Sequence, residues 1–193
     1  DNLNWGYCEF YWNIETIIFE DYVYPLDTSS WFENTYVPWA DFIDVTKLDT
    51  SSVTNMQYMF ESFSGEIVGL ETWDTSNVTN ARYMFNSCTK LTKIPQLNFG
   101  SITNTTSIFR TSDLTALTDL GGFTNLKVSW TSNFLDRVPK ASVDSLMNVI
   151  NGLWDWTDYP DGKAPLNNGT IYNFGTTHSL KFGSTNLNKL TAE

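Results

Sequence analysis

The sequence predicts an α/β solenoid of short parallel strands and short helices or 3₁₀ segments. Two observations support this fold class. The stretch LDTSSVTNMQYMF at 48–60 returns as WDTSNVTNARYMF at 73–85, 25 residues further along the chain. Each copy also has two halves with different periodicities. In the second half, but not in the first, the apolar residues have the spacing of one face of a helix. Since neither half can bury its apolar side chains alone, we expect successive copies to stack side by side.

The first half of each copy places apolar residues three positions apart and ends in a polar turn. It is too short for a long strand, so we expect a brief parallel strand followed by a turn. The segment LDTSSW at 26–31 matches LDTSSV at 48–53, which extends the repeat backwards at an offset of 22. The aligned apolar positions are Phe42/Val45/Leu48/Val53, Ile67/Leu70/Trp73/Val78, Leu91/Ile94/Leu97/Ile102 and, more weakly, Leu114/Leu117/Leu120 with Phe123 or Leu126.

The second half of each copy has the spacing of one helix face. Val53, Met56, Met59, Phe60 and Phe63 stand at i, i+3, i+6, i+7 and i+10, and the next two copies repeat most of this spacing. A short helix or 3₁₀ segment is therefore expected in each copy. The expected helix N-caps are Ser52, Asn77 and Ser101.

Asp27, Asp49 and Asp74 begin the polar turns of the repeat. We expect each carboxylate to hold its own turn by accepting hydrogen bonds from backbone N–H groups. In a stack the three side chains would fall in register, so a ladder of calcium ions is the alternative interpretation. Turn capping is preferred, and no metal or other cofactor is predicted.

Both ends of the chain are expected to be caps, because the terminal coils of a solenoid otherwise expose the core and a free strand edge. The predicted N-terminal cap is the aromatic-rich segment 1–39, with a degenerate first repeat at 26–39. A platform for stacking sugars is the alternative interpretation of these aromatics. The solenoid is predicted at 40–134, and an α+β C-terminal cap at 135–193, with a helix at 142–152 and short strands after it. We expect one continuous folded unit, cut from a longer protein within a last helix.

Composition and charge narrow the possible functions. The formal net charge is −11 and the 11 Lys and Arg residues are scattered singly, which disfavours nucleic acids and anionic membranes as partners. Charged residues make up only 17% of the chain, and a surface of hydroxyls and amides suits an extracellular protein. No apolar run approaches the roughly 20 residues of a membrane-spanning helix.

Cys8 and Cys88 are the only cysteines, too few for a disulfide framework or a Cys-rich metal site. Two small buried residues are the preferred interpretation, and a single bridge between them is the alternative.

No catalytic motif marks the chain. His178 is the only histidine, and no Ser-His-Asp or Cys-His arrangement around it has motif support. Glycine-rich phosphate loops and HExxH strings do not occur. We therefore predict that the protein is not an enzyme. The least favoured alternative is a carbohydrate-active enzyme that uses two of the 22 acidic residues.

The two near-identical stretches, followed by NSCTKLTKIPQLNF at 86–99, resemble the BspA-like leucine-rich repeats of bacterial surface proteins, in the 25-residue variety spelled D-T-S-N-V-T-N-M-x-x-M-F. The close matches cover 48–109, with degraded copies extending to about 26 and 130. The third copy reads FGSITNTTSIF, without D-T-S, so less regular C-terminal coils are expected. The resemblance implies a leucine-rich-repeat solenoid on a secreted or cell-surface protein. Similar repeats also occur in proteins of phages that infect gut bacteria.

These observations predict a non-catalytic extracellular module of a bacterial or phage protein. It would mediate adhesion by binding a protein or glycan on a host or neighbouring cell, without inserting into a membrane. The alternative is a structural stalk or decoration domain of a virion or of a multi-domain surface protein. Solenoids present the residues between their buried leucines in rows, so contacts are expected there. The predicted binding residues are Asp44, Thr46, Lys47, Glu71, Thr72, Lys93, Gln96, Thr118 and Asp119.

Overall fold

The computed structural model describes residues 14–33, 40–102, 108–109, 114–124, 142 and 144–145. Within these ranges the chain forms short strands, a 3₁₀ turn at Leu70–Thr72 and the two helical residues Asp144 and Ser145. The strands are β1 (Thr16–Ile18), β2 (Phe42–Asp44), β3 (Glu66–Val68), β4 (Lys93–Ile94), β5 (Leu97–Asn98), β6 (Asp119–Leu120) and β7 (Phe123–Thr124).

All pairs between these strands are parallel. β1, β2 and β3 form one sheet in that order, with Ile17, Ile43 and Ile67 in register. β4 pairs with β6, and β5 pairs with β7. Each strand therefore lies beside the equivalent strand of a neighbouring copy, 24 or 26 residues away along the chain. The predicted brief parallel strands are confirmed.

In the copies described over 53–63 and 78–88 the second half is a row of β-turns, so the helix predicted over 53–63 is wrong. Met59 donates its N–H to Met56 O at 3.2 Å, across a turn whose third residue, Tyr58, has a φ of 60°. The turn at 60–63 is built in the same way around Ser62, also at 60°. A positive φ at the third residue is the geometry of a type II turn.

Hydrogen bonds between copies explain why turns replace the helix. Alternate N–H groups of one copy donate to carbonyls of the next at 2.7 to 3.0 Å: Met56 to Asn80, Tyr58 to Arg82, Phe60 to Met84 and Ser62 to Asn86. An α-helix would use these N–H groups internally and leave none for the neighbouring copy. The predicted N-cap Asn77 likewise serves the stack, because its side-chain amide donates to Ser51 O of the preceding copy at 2.8 Å.

The first copy joins the stack at a register that differs from the sequence match. Asp27 pairs with Asn55, and Phe32 donates its N–H to Met59 O at 2.8 Å. The offset between these copies is therefore 27 or 28 residues here, and the predicted offset of 22 is wrong. At this register Trp31 and Phe32 are buried. Burial of two large aromatic side chains stabilises this register more than alignment of the polar D-T-S-S residues would.

The fourth copy is also shifted relative to its predicted alignment. Leu120 pairs with Ile94, and Phe123 pairs with Leu97. Phe123 is thus equivalent to the third apolar position of the copy, and not to the fourth. The backbone at Gly121 lies against the preceding copy, with its N–H donating to Ile94 O at 2.7 Å.

Aromatic rings of successive copies form a continuous column in the core. Phe32, Phe60, Phe85 and Phe109 stack in order, with ring centroids 5.4, 5.7 and 6.3 Å apart and planes within 20° of each other. All four are buried. We call this set the phenylalanine column. On the strand side, Ile43 is buried in place of the predicted Phe42, which is only half-buried, because adjacent residues of a strand point to opposite faces.

The described residues reach only part of the predicted caps. In the N-terminal cap, β1 and the buried Trp31 are present, whereas Tyr22 and Tyr24 are 63% and 69% exposed. Of the helix predicted at 142–152, Asp144 and Ser145 are helical, and Ser142 Oγ accepts the Ser145 N–H at 3.1 Å as an N-cap does. Residues 1–13, 34–39 and 146–193, with most of the predicted caps, lie outside the described residues.

Candidate functional site

The predicted binding residues lie at the exposed ends of the short strands. We call them the strand-side surface. Eight of the nine are exposed and Asp44 is half-buried. The structure arranges them as two groups, one at the end of β2 and after β2 and β3, and one on β4, β6 and their flanking residues. The first group is Asp44, Thr46, Lys47, Glu71 and Thr72, and the second is Lys93, Gln96, Thr118 and Asp119.

Several side chains of the strand-side surface form hydrogen bonds to the backbone, within their own copy or in the preceding one. Hydrogen bonds from the hydroxyl and the N–H of Thr46 lower the pKa of Asp44, whose Oδ1 lies 2.9 Å from Thr46 N. The Thr72 hydroxyl donates to Gly69 O at 2.8 Å. Lys47 donates to Glu20 O. These contacts fix the shape of the surface.

One ion pair crosses between copies on this surface. Lys93 Nζ lies 3.3 Å from Asp119 Oδ2, with both side chains more than half exposed. Exposed pairs of this kind contribute little to stability, about 0 to 1 kcal/mol. Both charges therefore remain accessible to a partner.

The aspartates of the polar turns cap them as predicted. The N–H groups of Ser29, Ser51 and Ser76 donate to Oδ1 of Asp27, Asp49 and Asp74 at 2.7 to 2.9 Å. The hydrogen bonds from Ser51 lower the pKa of Asp49. Asp27 does not stand above Asp49, because the first copy has the shifted register. Among the described residues, no three His, Cys, Asp or Glu side chains lie together where they could hold a metal ion.

A ladder of side chains on the turn side connects the first three copies. Asn55 donates its Nδ2–H to Asp27 Oδ2 at 3.1 Å, and Asn80 donates to Asn55 Oδ1 at 3.0 Å. Burial would raise the pKa of Asp27, but hydrogen bonds from Ser29 and Asn55 outweigh it, and the pKa is lowered. We call Asp27, Asn55 and Asn80 the Asx ladder. The sequence prediction missed it because Asp27 was aligned with Asp49, although T-N recurs at 54–55 and 79–80.

Two tyrosines stack on the same side of the molecule. The rings of Tyr58 and Tyr83 have centroids 5.0 Å apart and planes at 10°. Each has a φ of 60°, a left-handed conformation that costs a non-glycine residue about 1 kcal/mol. Arg82 Cζ lies 4.7 Å from the centre of the Tyr83 ring, and its Nη2 donates to the Tyr83 hydroxyl at 3.1 Å. We call Tyr58 and Tyr83 the tyrosine pair.

Cys88 is a free thiol inside the core. Its Sγ donates to Phe60 O at 3.0 Å, and burial strongly raises its pKa. A thiol in this state is a poor nucleophile. The preferred interpretation of a small buried residue is confirmed for Cys88, while Cys8 lies outside the described residues.

The repeat region matches a known protein family. A family model described as "Mycoplasma protein of unknown function, DUF285" matches residues 27–140. That match covers more than half of the chain. The protein belongs to the DUF285 family. The DUF285 match contains the phenylalanine column, the Asx ladder, the tyrosine pair and all nine residues of the strand-side surface.

Membership of DUF285 assigns no activity, because the family's function is unknown. No curated protein and no solved structure matches the chain. None of the helices within the described residues of this DUF285 protein is long and apolar enough to cross a membrane. The function must therefore be argued from the chain's own surfaces.

Proposed function

We propose that the protein is a non-catalytic surface module that binds a protein or glycan of another cell through the strand-side surface. One observation supports this proposal above the others. Most residues that stay the same between the copies at 48–60 and 73–85 are buried or hydrogen-bonded within the stack, whereas the strand-side residues Thr46, Lys47, Glu71 and Thr72, which change between copies, are exposed. A scaffold with variable exposed positions is the arrangement that repeat proteins use for recognition.

Pairs of equivalent residues show this division of roles. Thr50 and Thr75 are identical and buried, and Thr50 Oγ1 donates to Asp74 O of the next copy at 2.9 Å. By contrast, Thr46 and Lys47 are followed 25 residues later by Glu71 and Thr72, and all four are exposed. Changing these four would leave the buried contacts of the stack intact.

The proposal includes the extent of the repeat array and its caps. We infer that the copies continue as a BspA-like leucine-rich-repeat solenoid from about 40 to 134, with caps at 1–39 and 135–193. Parallel pairing of equivalent strands and the phenylalanine column support this inference. Membership of DUF285 is compatible with a surface repeat module. An acidic chain with a net charge of −11 also resists binding to nucleic acid.

The chemistry of the strand-side surface favours binding over catalysis. A general base works best when its pKa lies near the operating pH. The pKa of Asp44 is instead lowered by hydrogen bonds from Thr46. The Thr72 hydroxyl is engaged with a backbone carbonyl. Neither group is set up to move a proton at neutral pH.

Cell binding by surface variants tests the proposed function. The triple variant Lys47→Ala, Glu71→Ala, Gln96→Ala changes exposed strand-side residues, and Ser52→Ala, Thr89→Ala, Ser101→Ala changes exposed residues elsewhere. We expect the wild type and the second variant to bind cultured mammalian cells or a glycan array, and the first to lose at least about tenfold in affinity. Circular dichroism would show that both variants are folded.

Two results would contradict the binding proposal. Equal binding by the strand-side triple variant would move the site elsewhere. A folded wild type that binds neither cells nor glycans would favour the structural alternative, a stalk or decoration domain. The continuous phenylalanine column is compatible with that alternative, because it makes the stack a stiff spacer.

A further inference from the structure

We propose that the outer face of Tyr58 is a stacking site for a ring of a neutral glycan. The site lies on the turn side and is independent of the strand-side surface. Three residues with left-handed backbone stand in equivalent positions of successive copies: Ser30, Tyr58 and Tyr83, with φ of 59°, 60° and 60°. Two of them carry aromatic rings and the first does not. Among the residues that the structure describes, the row of rings therefore stops at Tyr58.

The register of the first copy places Ser30 next to Tyr58 in this row. Ser30 donates its N–H to Gln57 O at 2.9 Å, just as Tyr58 donates to Arg82 O at 3.0 Å in the following pair of copies. A ring at position 30 would therefore stack on Tyr58 as Tyr58 stacks on Tyr83. Serine leaves that space without a ring.

The exposed fractions of Tyr58 and Tyr83 agree with a row of rings that ends at Tyr58. Tyr83 is 9% exposed, with Tyr58 stacked on it and Arg82 in contact with its ring. Tyr58 is more exposed than Tyr83 and is only half-buried. Of the two tyrosines, Tyr58 thus has the larger exposed fraction.

The left-handed backbone itself belongs to the turns, since Ser30, Ser62 and Ser87 share it, but the turn does not require a tyrosine at this position. Glycine or asparagine would adopt the left-handed conformation at lower cost. Stacking between the two rings repays part of the strain, since aromatic pairs contribute about 0.5 to 1.5 kcal/mol. The outer ring face remains for a ligand.

The polar groups near this face suit a sugar. An aromatic ring accepts the apolar face of a sugar, while hydroxyls need donors and acceptors around the edge. Gln57 precedes Tyr58 in the chain, and Ser30 bonds to the Gln57 carbonyl; these two half-buried side chains supply an amide and a hydroxyl beside the ring. Asn80 holds Gln57 in place by donating to its Oε1 at 2.9 Å. The net charge of −11 repels anionic glycans, so a neutral one is selected.

Filling the space at position 30 tests the site directly. Ser30→Tyr would extend the row to three rings and block the face of Tyr58, whereas Ser30→Ala leaves it open. The probes are maltohexaose, chitohexaose and mannohexaose, titrated by calorimetry. We expect the wild type and Ser30→Ala to bind at least one of them, and Ser30→Tyr to bind it at least about tenfold more weakly. The melting temperature of Ser30→Tyr should not fall.

A second variant covers the case in which Ser30→Tyr does not fold. Tyr58→Leu removes the stacking face and keeps an apolar side chain, so it too should lose hexasaccharide binding. The proposal is overturned if the wild type binds none of the three probes, or if a folded Ser30→Tyr or Tyr58→Leu protein binds like the wild type. The strand-side triple variant should retain hexasaccharide binding, which separates this site from the proposed cell-binding surface.

Discussion

Asp27 and Asp49 occupy similar turns but differ in the hydrogen bonds that their carboxylate oxygens accept. Asp27 and Asp49 both begin the letters D-T-S, and both accept a hydrogen bond from the N–H two residues later. Only Asp27 also accepts a hydrogen bond from another copy, through Oδ2 and Asn55. The first aspartate therefore stabilises the contact between copies, and the second stabilises its own turn.

Replacing each aspartate by asparagine should separate these roles. Asp27→Asn would turn an NH₂ group towards the Asn55 NH₂ group, and we expect a loss of about 1 kcal/mol in the free energy of unfolding at pH 7. Asp49→Asn keeps the one oxygen that its turn uses, so it should change stability little. Urea denaturation of both variants measures the difference, and equal effects would show that the Asx ladder is not stabilising.

Acidification should remove the contribution of Asp27. Its pKa in the folded protein lies below the ordinary value of 3.8, so its stabilising effect is present above about pH 4 and is lost as the pH falls through the folded pKa. The difference between wild type and Asp27→Asn should consequently shrink between about pH 5 and pH 2. A difference that stays constant over this range would contradict the assignment.

At the scale of the elements, the same apolar spacing fits a helix and a row of turns. The spacing of Met56, Met59, Phe60 and Phe63 buries all four, because the first and last residues of a β-turn lie close together. The apolar spacing alone cannot distinguish a helix from a row of turns, because it does not show which carbonyl groups accept hydrogen bonds from the backbone N–H groups. In the stack those acceptors belong to the next copy.

Gly121 shows how closely two elements approach. A Cβ atom there would lie 2.2 Å from Gln96 N and 2.5 Å from Pro95 C, which are backbone atoms that cannot move alone. We expect Gly121→Ala to push β6 away from β4 and to lower the free energy of unfolding by about 1 to 3 kcal/mol. The exposed neighbour Thr115→Ala is the control. A Gly121→Ala protein as stable as this control would contradict the close approach.

At the scale of the whole molecule, stacking of copies is the source of the core. Phe60 lies between Phe32 and Phe85 in the phenylalanine column and also stacks on Trp73, at a centroid distance of 5.9 Å. Each copy thus covers the apolar residues of its neighbours. Stability of such an array is approximately the sum of the copies and of the contacts between them.

Truncating the centre of the column should weaken the whole array. We expect Phe60→Ala to lower the free energy of unfolding by about 3 to 5 kcal/mol, and Phe60→Leu to have a smaller effect. Phe42→Ala, at a half-buried position outside the column, is the matched control. If Phe60→Ala and Phe42→Ala were equally stable in chemical denaturation, the column would not be the core of the molecule.

Much of the predicted surface could be placed from the sequence, and the turn-side features could not. Thr46, Lys47, Glu71 and Thr72 are exposed as expected, because the alternation between buried and exposed positions is local. The Asx ladder and the tyrosine pair depend on which residues of different copies stand side by side. The sequence match between 26–31 and 48–53 predicts an offset of 22 residues for the first copy. With that offset Ser30 would align with Ser52 and would not lie next to Tyr58.

The sequence by itself determined the repeat, the parallel strands and the capping of turns by Asp27, Asp49 and Asp74, because each of these follows from contacts within a copy or from burial of its apolar face. The tertiary structure alone decided that Met56 to Phe63 form turns, and that Asp27 pairs with Asn55. The physical reason is the same in both cases. Backbone N–H groups bond to carbonyls of the adjacent copy, and Trp31 and Phe32 select the register that buries them.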